Sequence, residues 1–590
     1  MVLSGISEEI TIIENENPTV CYLTPLLKEE NLVVHRLTLK NSEEFIPKPI
    51  TLAWKFAAKN VQGVWRPSAD FNKRIEADWE LQNHESRISI DAPVLSLFGS
   101  KDENKLCFSC SNAVNRIELS AKYREEDNYF YCKVILFTEC KYPLTDFSMD
   151  IRIDERNIHF AKALNEVAKW WESYESLEPT YVPKIAKMPL YSTWYQFHQN
   201  LDENLLLKEC EIAKKMGFEA IIIDDGWQTQ DNNRGYDYTG DWKPERFENF
   251  GSLIAEIQKI GLKVGLWYSV PFCGVKSEAY KNFKGKFLTE NHRWAPVFDP
   301  RYPEVRQYLV KTYVNAVKDL GLDGLKLDFI DDFKNYPETD FDWDGKDMLS
   351  INGAVDLLLS EIMDELKKIN PDIFIEFRQK YTGPAIRKYG NMLRAFDCPG
   401  DYVMNRVRIA DIKMLAGNTA VHSDMVTWHP MESLHDVVLH YMNTLFGVPQ
   451  ISIMLGKANP DHLKMIKFYT DYWKKNMTHL LSGRFFPDSP SENYPVQTAK
   501  FQDKIIVGVY SDKLLKLTHD HHEIDLLNAK KSSEVVVYCP REFGKYRITY
   551  FTPTGEIVLK EQIVLKKGVN MLSSPQCGLV QLKKIMIDSK

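Results

Sequence analysis

The spacing of apolar residues changes twice along the chain, and these changes divide it into three regions. Between residues 31 and 157 apolar and polar residues alternate, as in LVVHRLTL and YFYCKVILFT, which is typical of strands with one buried face. The segment 159–176 has helical spacing, and three prolines follow it in EPTYVPKIAKMP. From about residue 500 the alternation returns in KIIVGVYS and SEVVVYC. Both flanking regions are therefore predicted to be β-rich.

The middle region repeats a short apolar strand followed by an amphipathic helix, which is the order expected of parallel β/α units. Several helical segments, including ENLLLKECEIAKKMG and GSLIAEIQKIG, end with the glycine that favours a left-handed helix terminus. The candidate strands are 189–194, 219–225, 263–269, 323–329, 372–378, 392–396, 418–423 and 449–454. Eight repeats over roughly 300 residues predict a (β/α)₈ barrel instead of an open doubly wound sheet.

We therefore predict a multidomain fold with a central (β/α)₈ TIM barrel between two β-sandwiches. The predicted boundaries are 1–175 for the N-terminal sandwich, 176–484 for the barrel and 485–590 for the small C-terminal sandwich.

Composition excludes several classes of protein. The 590-residue chain has a net charge of −8 and no strongly basic stretch, so nucleic acid is not an expected partner. No apolar run approaches the roughly 18–20 residues of a membrane span, so no membrane partner is expected. The start MVLSGISEEI lacks the features of a secretory signal, which predicts a cytoplasmic location. The ten cysteines are expected to be free thiols, and CFSC supplies only half of a zinc motif.

Polar residues cluster at the carboxyl ends of the predicted barrel strands, which is where barrel active sites lie. The candidate residues there are Asp224, Asp225 and Trp227 in IIIDDGW, Trp267 after the third strand, and Lys326 and Asp328 in LKLDF. Lys326 and Asp328 are two residues apart on one strand and so share a face, which in a barrel is the interior near the mouth. Two charges in that position need partners or a ligand, and a structural ion pair is the alternative.

A mouth lined by carboxylates and tryptophans, without a metal motif, is typical of glycoside chemistry. One carboxylate attacks or stabilises an oxocarbenium-like centre, and a second with a raised pKa protonates the leaving oxygen. Lys326 would keep the neighbouring carboxylate ionised. Tryptophans near the strand ends would form a platform for a sugar ring, although any single one is more often a core residue. The tryptophans in question are Trp194, Trp227, Trp242 and Trp267.

The motifs IIIDDGW, GDW, GLKVGLW, LDGLKLDF and the run from MLRAFDCPGD to AVHSD resemble the retaining α-galactosidases of glycoside hydrolase family 36. The resemblance covers most of residues 185–480, and the family's flanking β domains agree with the predicted ones. It implies that Asp328 is the nucleophile and that Asp397, after Arg394, is the general acid/base. It also implies that Asp224 and Asp225 grip sugar hydroxyls.

Further sugar contacts are implied for Lys326 and Arg394, for Trp194 and Trp267, and for Trp65 on an N-terminal loop. Family members often form homo-oligomers, and no cofactor or metal is implied.

The sequence departs from the family after the fifth strand. Many members have a Cys-Ser-Gly-Gly-Gly-Arg run there, near the 2-position of the sugar, whereas this chain has EFRQKYTGP. Glu376 and Arg378 are therefore expected to contact the sugar and to affect which sugar is bound. Asp401 is a rival for the acid/base role, but its position before a predicted helix favours an N-cap.

The predicted function is that of a retaining exo-glycosidase that removes terminal α-linked galactose from a small carbohydrate substrate. Its two carboxyl groups are expected to lie about 5–5.5 Å apart. The alternatives that share this machinery act on α-N-acetylgalactosamine, glucose or a pentose, or transfer galactose to a sugar. Outside this class, DFIDDF would be a magnesium cluster in a metal enzyme, or the protein would bind carbohydrate without catalysis.

Overall fold

The computed structural model describes residues 10–17 and 19–585, so the outermost residues of the predicted terminal domains lie outside the described part. The alternating N-terminal segments form two antiparallel sheets. Their strands are β1 (Thr11–Asn15), β2 (Val20–Glu29), β3 (Leu32–Phe45), β4 (Ile50–Ala57), β5 (Val61–Trp65), β6 (Glu76–Ala77), β7 (His84–Ser86), β8 (Val94–Gly99), β9 (Asn104–Cys110), β10 (Ile117–Arg124), β11 (Tyr129–Leu136) and β12 (Leu144–Asp154).

The two sheets pack as a sandwich because their inward apolar faces share one core. One sheet has the order β1-β4-β11-β10-β6, with β7 also paired to β10, and the other has the order β2-β3-β12-β9-β8-β5. Every second residue of β11 is buried, as the sequence alternation predicts. Leu52 and Val134 of the first sheet share a core with Leu37 and Ile151 of the second.

Helix α1 (Phe160–Glu172) joins the sandwich to the barrel. Its apolar face packs on the side of β8 and β9 that faces away from the sandwich core. The indole N–H of Trp171 donates to the carbonyl of Cys110 at 2.8 Å.

The middle region forms a sheet that, within the described residues, has eight parallel strands in the order β21-β20-β19-β18-β15-β14-β13-β22. Bridges from His422 to Val448 and from Val426 to Ile451 connect its two ends and close the barrel. The strands are β13 (Leu190–Ser192), β14 (Ala220–Ile223), β15 (Lys263–Ser269), β18 (Gly324–Asp328), β19 (Phe374–Arg378), β20 (Met392–Arg394), β21 (Ala420–His422) and β22 (Gln450–Ile451), with the loop hairpin β16 (Phe287–Thr289) and β17 (Val297–Phe298). Each predicted barrel strand contains one of these.

The helices between the strands follow the amphipathic segments of the sequence. They are α2 (Trp194–Phe197), α3 (Glu203–Met216), α4 (Phe250–Ile260), α5 (Glu278–Asn282), α6 (Pro303–Leu320), α7 (Ile351–Ile369), α8 (Tyr402–Lys413), α9 (Leu434–Met442) and α10 (Pro460–Ser482). Gly217, Gly261 and Gly321 end α3, α4 and α6 in the left-handed conformation that the sequence predicts. In the described part of the chain, none of the helices is long and apolar enough to cross a bilayer.

The C-terminal region is a smaller sandwich with the predicted β patterning. Its strands are β23 (Arg484–Asp488), β24 (Val496–Phe501), β25 (Lys504–Val509), β26 (Leu515–Lys516), β27 (Glu523–Asn528), β28 (Glu534–Cys539), β29 (Gly544–Phe551), β30 (Ile557–Leu565), β31 (Gly568–Ser573) and β32 (Leu579–Lys584). One sheet has the order β23-β24-β25-β27-β32-β29-β30 and the other β26-β28-β31. Thus the multidomain fold with a central barrel is confirmed.

Candidate active site

Asp328 is the last residue of β18, and its carboxylate is the most densely hydrogen-bonded group at the mouth of the barrel. Oδ1 accepts hydrogen bonds from Nε of Arg378 at 2.6 Å, from the Tyr381 hydroxyl at 2.9 Å and from the Phe329 backbone N–H at 2.8 Å. Oδ2 accepts from the indole N–H of Trp267 at 3.0 Å. Three elements therefore fix the orientation of this carboxylate.

Lys326 lies on the same face of β18 and connects two acidic groups. Its ammonium donates to Oδ2 of Asp224 at 2.7 Å and lies 3.9 Å from Oδ2 of Asp328. All three side chains are buried. The charges that the sequence places on this strand thus form an ion cluster at the barrel mouth, where each has an opposite charge nearby.

The electrostatics of the cluster keep Asp328 ionised. Burial raises the pKa of its carboxyl group, but the opposing charges of Arg378 and Lys326 and the Trp267 hydrogen bond outweigh burial and hold that pKa well below the usual range. Asp225 differs, because burial raises its pKa to about 6. The amides of Gln199 and Gln228 each donate to one of its oxygens at 2.7 Å. Asp224 therefore faces the lysine, while Asp225 is enclosed beside it.

Arg394 at the end of β20 is the centre of a second cluster. Its guanidinium contacts Oδ1 of Asp397 at 2.8 Å, Oδ1 of Asp424 at 2.5 Å and Oε1 of Glu376 at 3.4 Å. Asp397 keeps 39% of its side chain exposed, whereas Asp424 and Glu376 are buried. Among these acids, Asp397 is therefore the one that a ligand in the cleft can reach.

The pKa values of this cluster follow from burial and from Arg394. Burial raises the pKa of Asp397, but Arg394, Lys326 and Arg378 together hold it below the usual range, and the negative charge of Asp328 opposes them. Since Lys326 and Arg378 act on both Asp397 and Asp328, the two carboxylates share one electrostatic environment. Burial raises the pKa of Asp424 to about 6.

Glu376 is enclosed beside Arg394, and its expected contact with the sugar stays a prediction. It pairs in register with Lys326, one layer below the strand ends, and is fully enclosed. The Gln450 amide donates to its Oε2 at 2.5 Å. Burial raises the pKa of this carboxyl group. Glu376 is a buried partner of Arg394.

Arg378 lies at the site beside Asp328, and its expected contact with the sugar stays a prediction. Its guanidinium group is 4.9 to 5.3 Å from the ring centres of Phe329, Tyr381 and Phe396. Besides Asp328, it donates to the carbonyl of Gln379 at 2.8 Å. The arginine that replaces the family's glycine-rich run is thus held against Asp328 by aromatic rings.

The tryptophans divide into two groups. Trp267 contacts Asp328, and Trp194 is partly exposed beside His198, with 4.5 Å between their ring centres. Trp227 is buried, and its N–H donates to the Trp267 carbonyl at 3.0 Å while its ring stacks on Phe250. Trp227 therefore supports Trp267 from behind, and its expected contact with a sugar stays a prediction.

Trp65 is also not part of the mouth. It is fully buried, and its N–H donates to Oδ1 of Asp411 at 2.8 Å and to the Tyr494 hydroxyl at 3.1 Å. Lys73 donates to the other oxygen of Asp411 at 2.7 Å. The residue predicted to reach the sugar instead joins the N-terminal sandwich to α8 and to the C-terminal region.

Sequence reasoning missed three residues at the mouth. Tyr381 hydrogen-bonds Asp328, Asp424 binds Arg394, and Tyr236 stacks on Trp267 with a ring-centre distance of 6.0 Å. Asp424 follows β21, so its place beyond a strand end was a usable signal. Tyr236 and Tyr381 lie in loops, where no periodicity marks them.

The rival acid and the metal alternative find no support at the mouth. Asp401 is the N-cap of α8, and its side chain accepts from the Met404 N–H at 2.8 Å. In the described part of the chain, the side chains spaced to hold a cation are Asp102, His159 and Asp488, and Asp331 and Asp332 of DFIDDF form no such group. Nδ1 of His159 accepts the Ala161 N–H, which places the proton of a neutral ring on Nε2 and opposes metal binding there.

Part of the chain is similar in sequence to known proteins. The profile of the Melibiase family matches residues 159–392. The α-galactosidase Mel36A of Lactobacillus acidophilus is 28% identical over 153 residues, which are 24% of this chain and 20% of that protein. The matched segment thus spans about a fifth of the relative's length.

Similarity of structure extends over nearly the whole chain. The crystal structure of the family 36 α-galactosidase AgaA from Geobacillus stearothermophilus has a TM-score of 0.65 and 15% identity, covering 95% of this chain and 81% of that one. A variant of AgaA in complex with raffinose has a TM-score of 0.65 and 14% identity, with the same coverage. The resemblance found in the sequence is confirmed: part of the chain matches the Melibiase family, and its fold is similar to that of glycoside hydrolase family 36 α-galactosidase structures.

Proposed function

We propose that this protein is a retaining exo-α-galactosidase that removes terminal α-linked galactose from oligosaccharides by double displacement. Asp328 is the nucleophile and Asp397 is the general acid/base. The observation that carries the proposal is the carboxylate of Asp328, which Lys326, Arg378 and Trp267 keep ionised at the barrel mouth. A nucleophilic carboxylate must be ionised before it can attack an anomeric carbon.

The hydrogen bonds of Asp328 support Oδ2 as the attacking atom. Oδ1 has three donors within 3.1 Å, so its lone pairs are engaged. Oδ2 has the Trp267 N–H at 3.0 Å, with the ammonium of Lys326 further away at 3.9 Å. Oδ2 therefore attacks, and Arg378 and Tyr381 act as positioning residues that hold the carboxylate plane.

The charge of Asp328 also explains how Asp397 changes role. Arg394, Lys326 and Arg378 hold the pKa of Asp397 below the usual range, not above it as expected for the acid, and the ionised nucleophile opposes them, so Asp397 is easier to protonate while Asp328 is charged. When Asp328 becomes a neutral glycosyl ester, this effect disappears while Arg394 remains at 2.8 Å. The pKa of Asp397 then falls, and the carboxylate accepts a proton from the incoming water.

Galactose is proposed as the sugar because of the relatives. The similar proteins include named α-galactosidases, and a variant of AgaA of this fold holds raffinose, which ends in α-galactose. The buried pair of Lys326 and Asp224 offers donor and acceptor atoms for hydroxyl groups beside the nucleophile. Partly exposed Trp194 offers an apolar surface at the same mouth.

The first experiment measures turnover of 4-nitrophenyl α-galactoside by Asp328→Asn. We expect kcat to fall by about 10³-fold or more, with an unchanged melting temperature, because the amide cannot attack. Asp332→Asn, in the loop after β18, is the matched control and should retain activity. Near-native turnover by Asp328→Asn would show that another group is the nucleophile.

The second experiment establishes the stereochemistry and the sugar. Proton NMR during hydrolysis should show α-galactose as the first product, since double displacement retains configuration. A panel of nitrophenyl α-glycosides of galactose, N-acetylgalactosamine, glucose and arabinose should be cleaved fastest as the galactoside. A different preferred sugar would replace galactose in the proposal, and products extended by an added acceptor sugar would indicate a transferase.

Asp397→Ala separates the acid from the nucleophile. Its activity should fall less on 4-nitrophenyl α-galactoside than on raffinose, because a good leaving group needs little protonation. Equal losses on both substrates would assign the acid role to another residue.

A further inference from the structure

A polar cleft of about 580 Å³ lies in the N-terminal sandwich, between the loop that follows β5 and the loop that follows β19. We propose that this cleft binds the sugar units on the leaving-group side of the scissile bond and that its ligand is a neutral oligosaccharide. We call it the leaving-group cleft. The inference rests on the proposed glycosidase function and adds a binding site to it.

The cleft is joined to the nucleophile through the fifth barrel strand. Lys380, which lines the cleft, follows Arg378 by two residues, and Arg378 donates to Asp328. Two residues of chain span at most about 7 Å. The Asp91 N–H, on the opposite wall, donates to the Lys380 carbonyl at 2.6 Å. The cleft therefore begins close to the group that attacks the sugar.

A second connection leads to the candidate acid. Ser68 and Ala69 line the cleft, and Asp70 follows them directly. Asp70 binds the guanidinium of Arg408 through two hydrogen bonds of 2.8 and 2.7 Å. Arg408 also donates to the backbone carbonyl of Asp397 at 3.1 Å. The wall of the cleft is thus tied to the loop that would protonate the leaving oxygen, so the departing part of a substrate would emerge beside it.

The charges of the cleft favour a neutral ligand. Arg66 pairs with Glu76 at 3.0 Å, and Arg74 pairs with Glu80. Arg116 lies 3.1 Å from Glu118. Since cations and anions neutralise each other along the walls, the cleft presents hydrogen-bonding groups with little net charge, which suits hydroxyl groups better than an ion.

Three side chains of the cleft have unused hydrogen-bonding capacity. Asn72, Gln82 and Lys380 are exposed and line the cleft, and in the described residues their side chains make no hydrogen bond or ion pair. Phe71 lies in the loop after β5 and Trp79 in the loop after β6, with 43% and 70% of their surfaces exposed. Exposed apolar groups of this kind, next to free polar groups, are typical of ligand-binding grooves.

The test compares two substrates that share galactose but differ in the leaving group. The leaving group of 4-nitrophenyl α-galactoside is a single ring, whereas that of raffinose is a disaccharide. The measured quantity is kcat/KM for raffinose divided by kcat/KM for the nitrophenyl substrate. In the double variant Asn72→Ala, Lys380→Ala we expect this ratio to fall about tenfold, because two hydrogen bonds to raffinose are lost. The change should appear as a higher KM for raffinose. Lys59→Ala, an exposed lysine outside the cleft, is the control and should leave the ratio unchanged. A ratio unchanged in the double variant would overturn the inference.

A binding measurement keeps the inference separate from the proposed function. Calorimetry with raffinose on Asp328→Asn should give a Kd that rises about tenfold when Asn72→Ala and Lys380→Ala are added. This result supports the cleft even where hydrolysis fails and the proposed function is wrong. If the added changes leave the Kd unaltered, or if raffinose does not bind at all, the inference that the cleft binds oligosaccharide is refuted. Hydrolysis of the nitrophenyl substrate would then still be evidence for the proposed function.

Discussion

Single residues at this site have roles that depend on what surrounds them. Asp224 and Asp225 are adjacent in the chain, but Asp224 binds Lys326 and Asp225 is enclosed by two amides. Asp397 and Asp424 share Arg394, but Asp397 alone keeps an exposed carboxylate. Residue type marks a candidate, and burial together with hydrogen bonding decides what it can do.

Trp65 allows a direct test at this scale. In Trp65→Phe the buried Asp411 and Tyr494 lose the indole N–H as a hydrogen-bond donor. We expect the free energy of unfolding to fall by about 1–3 kcal/mol, measured by urea denaturation. KM for 4-nitrophenyl α-galactoside should remain unchanged, since the residue is buried away from the mouth. A large rise in KM with unchanged stability would restore Trp65 to the sugar site.

The sequence could identify the candidate acidic residues but could not show how deep each one lies along the barrel axis. Strand periodicity shows that Glu376 and Arg378 share one face of their strand, as it does for Lys326 and Asp328. Depth along the barrel axis depends on the register between strands, which places Glu376 level with Lys326, where Arg394 and Gln450 contact it. Register is set by long-range pairing, so the burial of Glu376 was not readable locally. The same holds for Trp65, whose partners are distant in the chain.

At the scale of elements, β18 and β19 together position the proposed nucleophile. Their paired strands bring Lys326, Asp328 and Arg378 to one edge, and the aromatic rings around Arg378 fix its guanidinium. The existence and order of all barrel strands could be predicted, because alternating apolar strands and amphipathic helices are a strong local signal. The loops after the strands carry no such periodicity, and for this reason Tyr236 and Tyr381 were missed.

Arg378→Met tests the contribution of β19. Arg378 lowers the pKa of both Asp328 and Asp397, so its removal raises both values. In the proposed mechanism Asp328 must be ionised, so a higher pKa of Asp328 moves the acidic limb of the pH profile to higher pH. Asp397 must be protonated, so a higher pKa of Asp397 moves the alkaline limb to higher pH as well. We expect the whole kcat/KM profile for raffinose to shift to higher pH by about one unit.

Arg541→Met is the matched control, because it also removes an arginine but lies in the C-terminal region. It should leave the pH profile unchanged. If the limbs of the Arg378→Met profile stay at the wild-type pH values while the maximum kcat/KM falls, Arg378 orients Asp328 without setting its charge.

At the scale of the whole molecule, the three regions are joined by polar contacts as well as by apolar cores. Trp65 of the N-terminal sandwich binds α8 of the barrel and Tyr494 of the C-terminal region. Helix α10 contacts the C-terminal sheet through the hydroxyl of Tyr472, which donates to Asp525 at 2.9 Å. Phe485 and Tyr494 belong to the same apolar core as the barrel residues. The spacing of apolar residues predicted three regions, but contacts between the regions join residues far apart in sequence and leave no local pattern.

These contacts predict that the barrel cannot fold without its C-terminal neighbour. A chain of residues 1–484 would lose Tyr494, one of the two partners of Trp65, and Asp525, the partner of Tyr472. It would also expose the buried face of α10, where the Tyr469 hydroxyl donates to the Cys577 carbonyl at 3.0 Å. Burying polar groups without partners costs about 1–3 kcal/mol each, and the exposed apolar face adds to this loss. Because domains are stable by only about 5–15 kcal/mol, we expect this fragment to aggregate or to lack a cooperative melting transition in calorimetry, whereas the full chain melts cooperatively. A fragment that melts cooperatively and cleaves 4-nitrophenyl α-galactoside would show that the C-terminal sandwich is an independent addition to the barrel.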